Sequence, residues 1–250
     1  MNTQVKDIIR IENLCRDFVV GSETVHALRD VSFSIQPGEF VTIMGTSGSG
    51  KSTLLNMLGC LDIPTSGEYY LDGKPVREMG KNDRASYRNL KIGFIFQSYN
   101  LLPKTTALEN VELPLLYNPS ISKRVRKEKA LNALKAVGLE NRVNHRSNQM
   151  SGGQQQRVAI ARAMVNDPVI LLADEATGNL DTRTSYEILA LFQHLHAEGR
   201  TIIFVTHNPE IAEFSSRNIL LRDGRVVEDK KNSRIGSARQ VLEALPKEID

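Results

Sequence analysis

The residues from Gly45 to Ser52 have the types and spacing that phosphate binding requires. They read Gly-Thr-Ser-Gly-Ser-Gly-Lys-Ser and fit the pattern G-x-x-x-x-G-K-[ST], the phosphate-binding P-loop. The glycines let successive backbone N–H groups converge on an anion at a helix N-terminus. We expect Lys51 to reach the β- and γ-phosphates of a nucleotide and the Ser52 hydroxyl to ligate Mg²⁺.

The flanking sequence predicts the strand and the helix between which a P-loop lies. Phe40–Met44 is a short apolar, β-branched run that predicts a buried strand. Residues 53–58 contain few helix breakers and predict a helix. The alternative is a Gly/Ser-rich linker that contains Lys-Ser by accident. A linker would not need a strand before it and a helix after it, so the flanking sequence favours the P-loop.

Two acids follow an apolar segment at residues 169–173, which predicts a buried strand ending at Asp174 and Glu175. Strand alternation would direct the two carboxylates to opposite sides and give them different roles. Asp174 suits Mg²⁺, directly or through a water, and Glu175 suits orienting and deprotonating a water that attacks a γ-phosphate. His207 ends another apolar segment, where α/β sheets place ligand contacts. A solvated strand end and an ordinary surface histidine are the alternatives.

A second candidate anion site is formed by Ser151, Gly152 and Gly153. They precede residues 158–164, which contain good helix formers and an apolar face. These three residues would therefore lie at a helix N-terminus, with free N–H groups directed outward. Taken alone, Ser-Gly-Gly is a common loop, and only its neighbours favour the functional interpretation.

Composition limits the class of protein. The chain has 250 residues, of which 40% are hydrophobic and 24% charged, as in an ordinary soluble globular protein. No apolar run approaches the ~18 residues that span a bilayer, and residues 1–7 lack the apolar segment of a signal peptide, so we expect a cytoplasmic protein. Two cysteines without a C-x-x-C pattern suggest neither disulfides nor a metal site. A net charge of +3 is too small to argue for nucleic acid.

Antiparallel β-structure is predicted before the P-loop, at residues 8–20 and 25–35 with a turn between them. Phe18 in this hairpin is a candidate to stack on an adenine ring, and a core phenylalanine is the alternative. Further hairpins are predicted around the Asp-Gly turns at residues 72–73 and 223–224. Another strand is predicted at residues 91–96, directly before Gln97.

A helical pattern occupies residues 107–139. It begins after Thr106, is interrupted by Pro114 and ends at Gly138. The basic cluster in this segment is most simply a solvated helix face, and contact with nucleic acid is the minor alternative. Its members are Lys123, Arg124, Arg126 and Lys127.

The predicted fold class is α/β, with a P-loop NTPase core, an N-terminal antiparallel β subdomain and a helical insertion subdomain. We assign residues 1–228 to one nucleotide-binding domain, with the helical subdomain at about residues 100–165. Residues 229–250 are predicted to be a peripheral, weakly helical C-terminal tail.

Together these motifs resemble the nucleotide-binding domain of an ATP-binding cassette (ABC) transporter, over the chain up to about residue 228. In chain order they are the P-loop, Gln97, Ser151-Gly152-Gly153-Gln154, Asp174-Glu175, Asn179-Leu180-Asp181 and His207. A finer resemblance, to the MacB/LolD type that powers macrolide export and lipoprotein release, is carried by residues 25–28, 93–97, 100–102, 109–114 and 173–181. Ala176 stands where the family usually has Pro, and Met150 where it usually has Leu.

The resemblance implies ATP and Mg²⁺ as ligands and a role for each motif. Phe18 would stack on adenine, Gln97 would sense the γ-phosphate and Mg²⁺, and His207 would be the γ-phosphate switch. The expected catalytic residues are Glu175 (as the base), His207 and Gln97, and the expected magnesium ligands are Ser52, Gln97 and Asp174. The expected nucleotide contacts are Phe18, Gly45, Ser47, Gly48, Ser49, Gly50, Lys51, Ser52, Thr53, Ser151, Gly152, Gly153, Gln154 and Asp181.

The resemblance also implies partners. A second copy would pair head to tail, so that the signature at residues 151–154 of one subunit completes the ATP site of the other, with Asp181 at the interface. An integral-membrane permease of the MacB/LolC/FtsX type would hold the protein at the inner face of the cell membrane. No nucleic-acid partner is expected.

Three functions fit these motifs. The leading one is the ATP-hydrolysing subunit of an export or lipoprotein-release transporter, and the alternative is a cell-division-type cassette that regulates an extracytoplasmic partner without transport. A cassette ATPase that acts on nucleic acid usually has a long coiled coil between P-loop and signature, zinc-binding cysteines or two cassettes in one chain. None of these features occurs in the sequence.

Overall fold

The computed structural model describes residues 6–246. Residues 1–5, on which the prediction about a signal peptide partly rests, lie outside this range. The strands are β1 Ile9–Val20, β2 Glu23–Ile35, β3 Phe40–Met44, β4 Ser66–Leu71, β5 Lys74–Pro75, β6 Ile92–Phe96, β7 Ile170–Asp174, β8 Ile202–Thr206, β9 Arg217–Arg222 and β10 Arg225–Lys231. The helices are α1 Lys51–Leu58, α2 Lys81–Lys91, α3 Ala107–Glu112, α4 Lys123–Ala136, α5 Gly152–Met164, α6 Thr182–Ala197, α7 Pro209–Ala212 and α8 Ala238–Ala244. Short 3₁₀ helices occupy Val76–Glu78, Leu113–Tyr117 and Ser147–Gln149.

The strands form two sheets. One is antiparallel, in the order β2-β1-β4-β5, and the other has the order β10-β9-β3-β8-β7-β6. In the second sheet β9, β3, β8, β7 and β6 are parallel, and β10 closes an antiparallel hairpin with β9. The predicted α/β class with an antiparallel β subdomain at the N-terminus is therefore confirmed.

The parallel strands separate two hydrophobic cores. On β8, Ile202 and Phe204 pack with the helices α3 to α6 and α8, whereas Ile203 and Val205 pack with α1 and the antiparallel sheet. Because both faces are covered, these strands are continuous apolar runs without polar alternation. This is why the sequence predicted them well.

The sheet places four of the predicted motifs at one edge. Met44 pairs with Thr206, Asp174 with Val205, and Phe96 with Asp174 in the parallel registers. The segments that leave β3, β6, β7 and β8 therefore all start at the carboxyl edge, where open α/β sheets bind their ligands.

Several local predictions need correction. The sequence pattern did not reveal α2, because this helix is mostly polar and has no buried residue. Lys91 belongs to the end of α2, so the strand assigned to residues 91–96 begins at Ile92. The helical pattern at residues 107–139 is confirmed, but it divides into α3, a 3₁₀ turn that contains Pro114, and α4.

The C-terminal segment packs on α6. Ala238 is fully buried, and the Gln193 side chain accepts from its N–H at 2.9 Å and donates to the Gly236 carbonyl at 2.7 Å. β10 continues to Lys231, beyond the predicted domain boundary at residue 228. That boundary stays a prediction. Within residues 6–246, no helix is long and apolar enough to cross a membrane.

Candidate functional site

The P-loop joins β3 to α1 through two left-handed glycines. Gly48 has φ of 78°, and Gly50, the N-cap of α1, has φ of 102°. The loop also passes very close to its surroundings, because a Cβ on Gly45 would lie 2.4 Å from the Leu221 carbonyl oxygen. Glycine is therefore favoured at Gly48 and Gly50 by the backbone angle and at Gly45 by the lack of space. Without side chains at these positions, a ligand can approach the backbone closely.

The Lys51 ammonium group lies over this loop. Its Nζ donates to the carbonyl oxygens of Gly45 at 2.7 Å and Thr46 at 2.8 Å. A cleft of about 1100 Å³ opens in front of it. The cleft is lined by Gly45–Gly48, Gly50 and residues 51–53 of the P-loop region, by residues 25–27 and Arg29 of β2, by Glu175 and His207, and by Asp223 and Gly224.

Ser49 behaves differently from the other P-loop residues. Its side chain is 2% exposed, and its Oγ lies 2.4 Å from the position of a Cβ on Gly45. The hydroxyl is therefore packed beneath the loop, away from the cleft. Its N–H donates to the Thr46 carbonyl at 3.2 Å, and its carbonyl accepts from the Gly224 N–H at 3.0 Å. Ser49 does not line the cleft, so its predicted contact with nucleotide stays a prediction.

Glu175 and His207 meet at the edge of the cleft. The Glu175 Oε1 and the His207 Nδ1 are 2.6 Å apart, and the histidine is the more exposed of the two. Glu175 lies just after β7 with φ of 45°, a left-handed conformation that is strained for a residue other than glycine. We expected strand alternation to direct the two carboxylates to opposite sides. That reason is wrong, because β7 ends at Asp174 and Glu175 lies beyond the strand.

Asp174 is a half-buried acid beside two charges. Burial, and then the negative charge of Glu175, raise the pKa of its carboxyl, while the Lys51 cation opposes this shift. Among residues 6–246, no three His, Cys, Asp or Glu side chains come together to hold a metal ion. A divalent cation beside Asp174 would need hydroxyl and phosphate oxygens as further ligands, which is how Mg²⁺ is usually bound. Ser52 of the P-loop cleft carries such a hydroxyl, whereas Asp174 itself does not line that cleft.

Gln97 reaches this region from the end of β6. Its Nε2 donates to Asn179 Oδ1 at 3.1 Å, and the Asn179 amide donates back to the Gln97 carbonyl at 3.2 Å. A second cavity of about 340 Å³ is lined by Gln97, Glu175 and His207 together. Asn179 was part of a recognised motif but had no predicted role, because nothing in the sequence indicates which side chain an asparagine in a turn will meet.

The signature residues lie at the N-terminus of α5. Ser151 is the N-cap: its Oγ accepts from the Gln154 N–H at 3.3 Å, and its own N–H donates to Gln154 Oε1 at 3.2 Å. Gly153 packs so closely on α6 that an added Cβ would lie 2.4 Å from Thr184 Cγ2. None of residues 151–154 lines the P-loop cleft in the chain as described.

Asp181 begins the next helix, α6, as its N-cap. Its two carboxylate oxygens accept from the Thr184 N–H at 2.9 Å and the Thr184 hydroxyl at 2.6 Å. The hydrogen bonds from Thr184 lower the pKa of Asp181. This carboxylate is exposed. Its role at the interface between two copies stays a prediction.

Phe18 lies on β1 opposite Val25, a residue that lines the cleft. Phe18 itself does not line the cleft, and its ring is covered on one face by the Arg16 guanidinium at 4.5 Å. It is 38% exposed, so the alternative of a core phenylalanine does not hold. Its contact with adenine stays a prediction.

The chain is similar in sequence to several known proteins. The family model described as ABC transporter matches residues 28–178. A Thermotoga maritima protein described as an uncharacterised ABC transporter ATP-binding protein is 53% identical over 222 residues, which cover 89% of this chain and 94% of that protein. The macrolide export ATP-binding/permease protein MacB of Syntrophobacter fumaroxidans is 48% identical over 242 residues, covering 96% of this chain and 34% of MacB.

A solved structure is similar in fold and sequence. It is the dimeric structure of the ATP-binding cassette MJ0796 in a post-hydrolysis state bound to ADP and Pi; a protein of that name in Methanocaldococcus jannaschii is also 49% identical to this chain over 228 residues. The structure has a TM-score of 0.81 and 46% identity, and the match covers 89% of this chain and 98% of that one.

Proposed function

Because this chain belongs to the ABC transporter family, we propose that it powers export through a separate membrane permease. It is an ATP-binding subunit, and its reaction is the hydrolysis of ATP to ADP and phosphate. The finer assignment to a macrolide-export or lipoprotein-release system is supported by the similarity to MacB, which is named for macrolide export. The cell-division alternative has no comparable support.

The single observation that carries the proposed mechanism is the separation of the P-loop cleft from the signature. Ser151 and its neighbours do not line the cleft that holds Lys51, although both are helix N-termini suited to anions. One ATP therefore needs two subunits to touch both elements. Pairing of two copies head to tail would give two such composite sites, and the dimeric cassette with 46% identity supports the pairing of two copies.

Within each composite site the residues would divide the work. The P-loop N–H groups and Lys51 would hold the phosphates, and Glu175 would take the proton of the attacking water. His207, which contacts Glu175 at 2.6 Å, would keep that carboxylate in place and contact the γ-phosphate. Mg²⁺, when bound by Ser52, Asp174 and Gln97, would neutralise the charge that develops on the phosphate oxygens.

A complementation experiment tests the composite site. Lys51→Ala should disable the P-loop, and Ser151→Asp should keep the helix cap but place a negative charge against the partner's phosphate. Each variant alone should hydrolyse ATP poorly. A mixture should recover activity, because a mixed dimer contains one site with an intact P-loop and an intact signature. A mixture no more active than the sum of its parts would contradict the proposal.

We also propose where the permease binds. A groove of about 730 Å³ lies between α2, β6, the 3₁₀ turn at Leu113–Tyr117 and α5. Tyr117 at its rim is 75% exposed and Leu90 is 43% exposed. The groove borders the segment after Gln97, since Arg162 donates to the Asn100 carbonyl at 2.6 Å. A short helix of the permease with an apolar face fits this surface, and it would hold the protein at the cytoplasmic face of the membrane.

The permease site can be tested by affinity purification from detergent-solubilised membranes. Tyr117→Asp should reduce the amount of a multi-span permease that co-purifies, while the basal ATPase activity stays unchanged. Val125→Asp, at a residue that is 40% exposed on α4 outside the groove, is the matched control. Equal recovery of permease with both variants would refute this docking surface. A four-span permease with a large extracytoplasmic domain would support the MacB/LolC/FtsX type.

A further inference from the structure

Gln156 is a buried polar residue one turn into the signature helix α5. It is completely inaccessible to solvent, and its Nε2 donates to the Ala176 carbonyl oxygen at 2.6 Å. Its Oε1 is buried without a hydrogen-bond partner in the described part of the chain. An apolar side chain of the same length would avoid the unsatisfied oxygen but would leave the Ala176 carbonyl without this donor. The hydrogen bond to Ala176 is the one bond that this amide makes within the described residues.

The acceptor of this bond directly follows Glu175. Glu175 holds a left-handed φ of 45°, a conformation that persists only where its surroundings impose it. Two backbone bonds act on Glu175 itself: its N–H donates to the Val205 carbonyl at 2.9 Å, and its carbonyl accepts from the Gly178 N–H at 2.9 Å. The bond from Gln156 fixes the next peptide, and it comes from a different element.

The residue at position 176 makes this third bond more important. Proline, usual here in proteins that the sequence resembles, restricts its own φ, whereas alanine leaves the backbone free to rotate. With Ala176, the orientation of the Ala176–Thr177 peptide relative to Glu175 depends on the side chain that binds the Ala176 carbonyl. Within the described residues, Gln156 is the side chain that does so.

We propose that Gln156 is a positioning residue that sets the geometry of Glu175 and links it to the signature. The inference rests on the proposed role of Glu175 as the base. Gln156 lies within two turns of the N-cap Ser151 on one continuous helix. A shift of the α5 N-terminus when the signature meets a nucleotide is therefore passed directly to the turn that carries the base of the same subunit. Gln156 thereby couples the two ATP sites of a dimer.

Gln156→Met is the primary test, because it removes the hydrogen bond at nearly constant length. The kcat for ATP should fall at least about tenfold, while the Kd for ATP stays within about twofold of wild type. Gln193→Met is the matched control, since Gln193 also donates to backbone carbonyls, those of Phe214 and Gly236, but lines neither cavity beside Glu175. It should lower the melting temperature and leave kcat unchanged.

Gln156→Glu keeps the test valid if the methionine variant does not fold. A protonated carboxyl can donate to the Ala176 carbonyl and a carboxylate cannot, so the kcat of this variant relative to wild type should rise as the pH falls from about 8.5 to about 6. A methionine variant with wild-type kcat, equal losses in kcat and ATP affinity, or a ratio independent of pH would each overturn the proposal. An active Glu175→Gln variant would instead refute the proposed base.

Discussion

Replacing Glu175 by Gln removes the proposed base and changes little else in the site. The side chain keeps its length, and an amide can still contact the His207 ring, from which the carboxylate lies 2.6 Å away. The negative charge beside Asp174 disappears, so repulsion of the γ-phosphate decreases and ATP binding is preserved. What is lost is the ability to accept a proton from water.

The expected loss of activity is large. A positioned general base contributes about 10² to 10⁴ in rate, so we expect kcat to fall about 10³-fold, which corresponds to about 4 kcal/mol in the activation barrier. Phosphate release under saturating ATP and Mg²⁺ measures this change, and titration calorimetry measures the Kd, which should not increase. Because Glu175 contributes to the raised pKa of Asp174, that pKa should also fall in the variant.

Glu187→Gln serves as the control for this experiment. Glu187 is an acid of α6 that pairs with Arg157 at 3.3 Å and does not line either cavity beside Glu175. Its substitution should leave kcat unchanged. If Glu175→Gln retains activity within about tenfold of wild type, then Glu175 is not the base and the division of roles given above is wrong.

Three further predictions follow from the same geometry. Lys51→Ala removes the cation that bonds to the Gly45 and Thr46 carbonyls and should weaken ATP binding at least about tenfold in calorimetry, with little change in melting temperature; unchanged affinity would contradict it. Gly45→Ala places a Cβ 2.4 Å from a backbone oxygen and should cost about 1–3 kcal/mol in urea unfolding, whereas Gly80→Ala, whose nearest atom would be at 3.4 Å, should cost less. Hydrogen bonds from Thr184 lower the pKa of Asp181, so this carboxylate stabilises the fold above its unfolded pKa and loses that effect as the pH falls through its folded pKa. Asp181→Asn should therefore flatten the decline of the urea midpoint below about pH 4. The same pH dependence of the urea midpoint in variant and wild type would contradict this role of Asp181.

The sequence predicted the parallel sheet and its edge because buried strands are marked by uninterrupted apolar runs. It also predicted that one helix begins after Thr106 and another at residues 151–153, and in the structure Thr106 and Ser151 cap these two helices. It did not predict α2, whose residues are never buried. A sequence pattern predicts a helix or strand only where that element buries an apolar face or has a capping residue close to it in sequence.

The missed features of the site involve residues distant in sequence. The amide exchange between Gln97 and Asn179 and the bond from Gln156 to Ala176 each join segments that no periodicity connects. The left-handed backbone of Glu175 is also imposed by bonds to neighbours, since its own side chain does not favour it. The C-terminal segment was predicted to be peripheral because its docking on α6 depends on Gln193, 45 positions before Ala238.

In the proposed mechanism ATP is bound between two copies of this chain. Size-exclusion chromatography with light scattering of Glu175→Gln measures it directly, because this variant should bind ATP without consuming it. With ATP and Mg²⁺ the mass should be that of a dimer, about twice the 27.9 kDa of the chain, and with ADP or with Ser151→Asp added it should return to the monomer. A monomer at high protein concentration with saturating ATP would contradict the composite site.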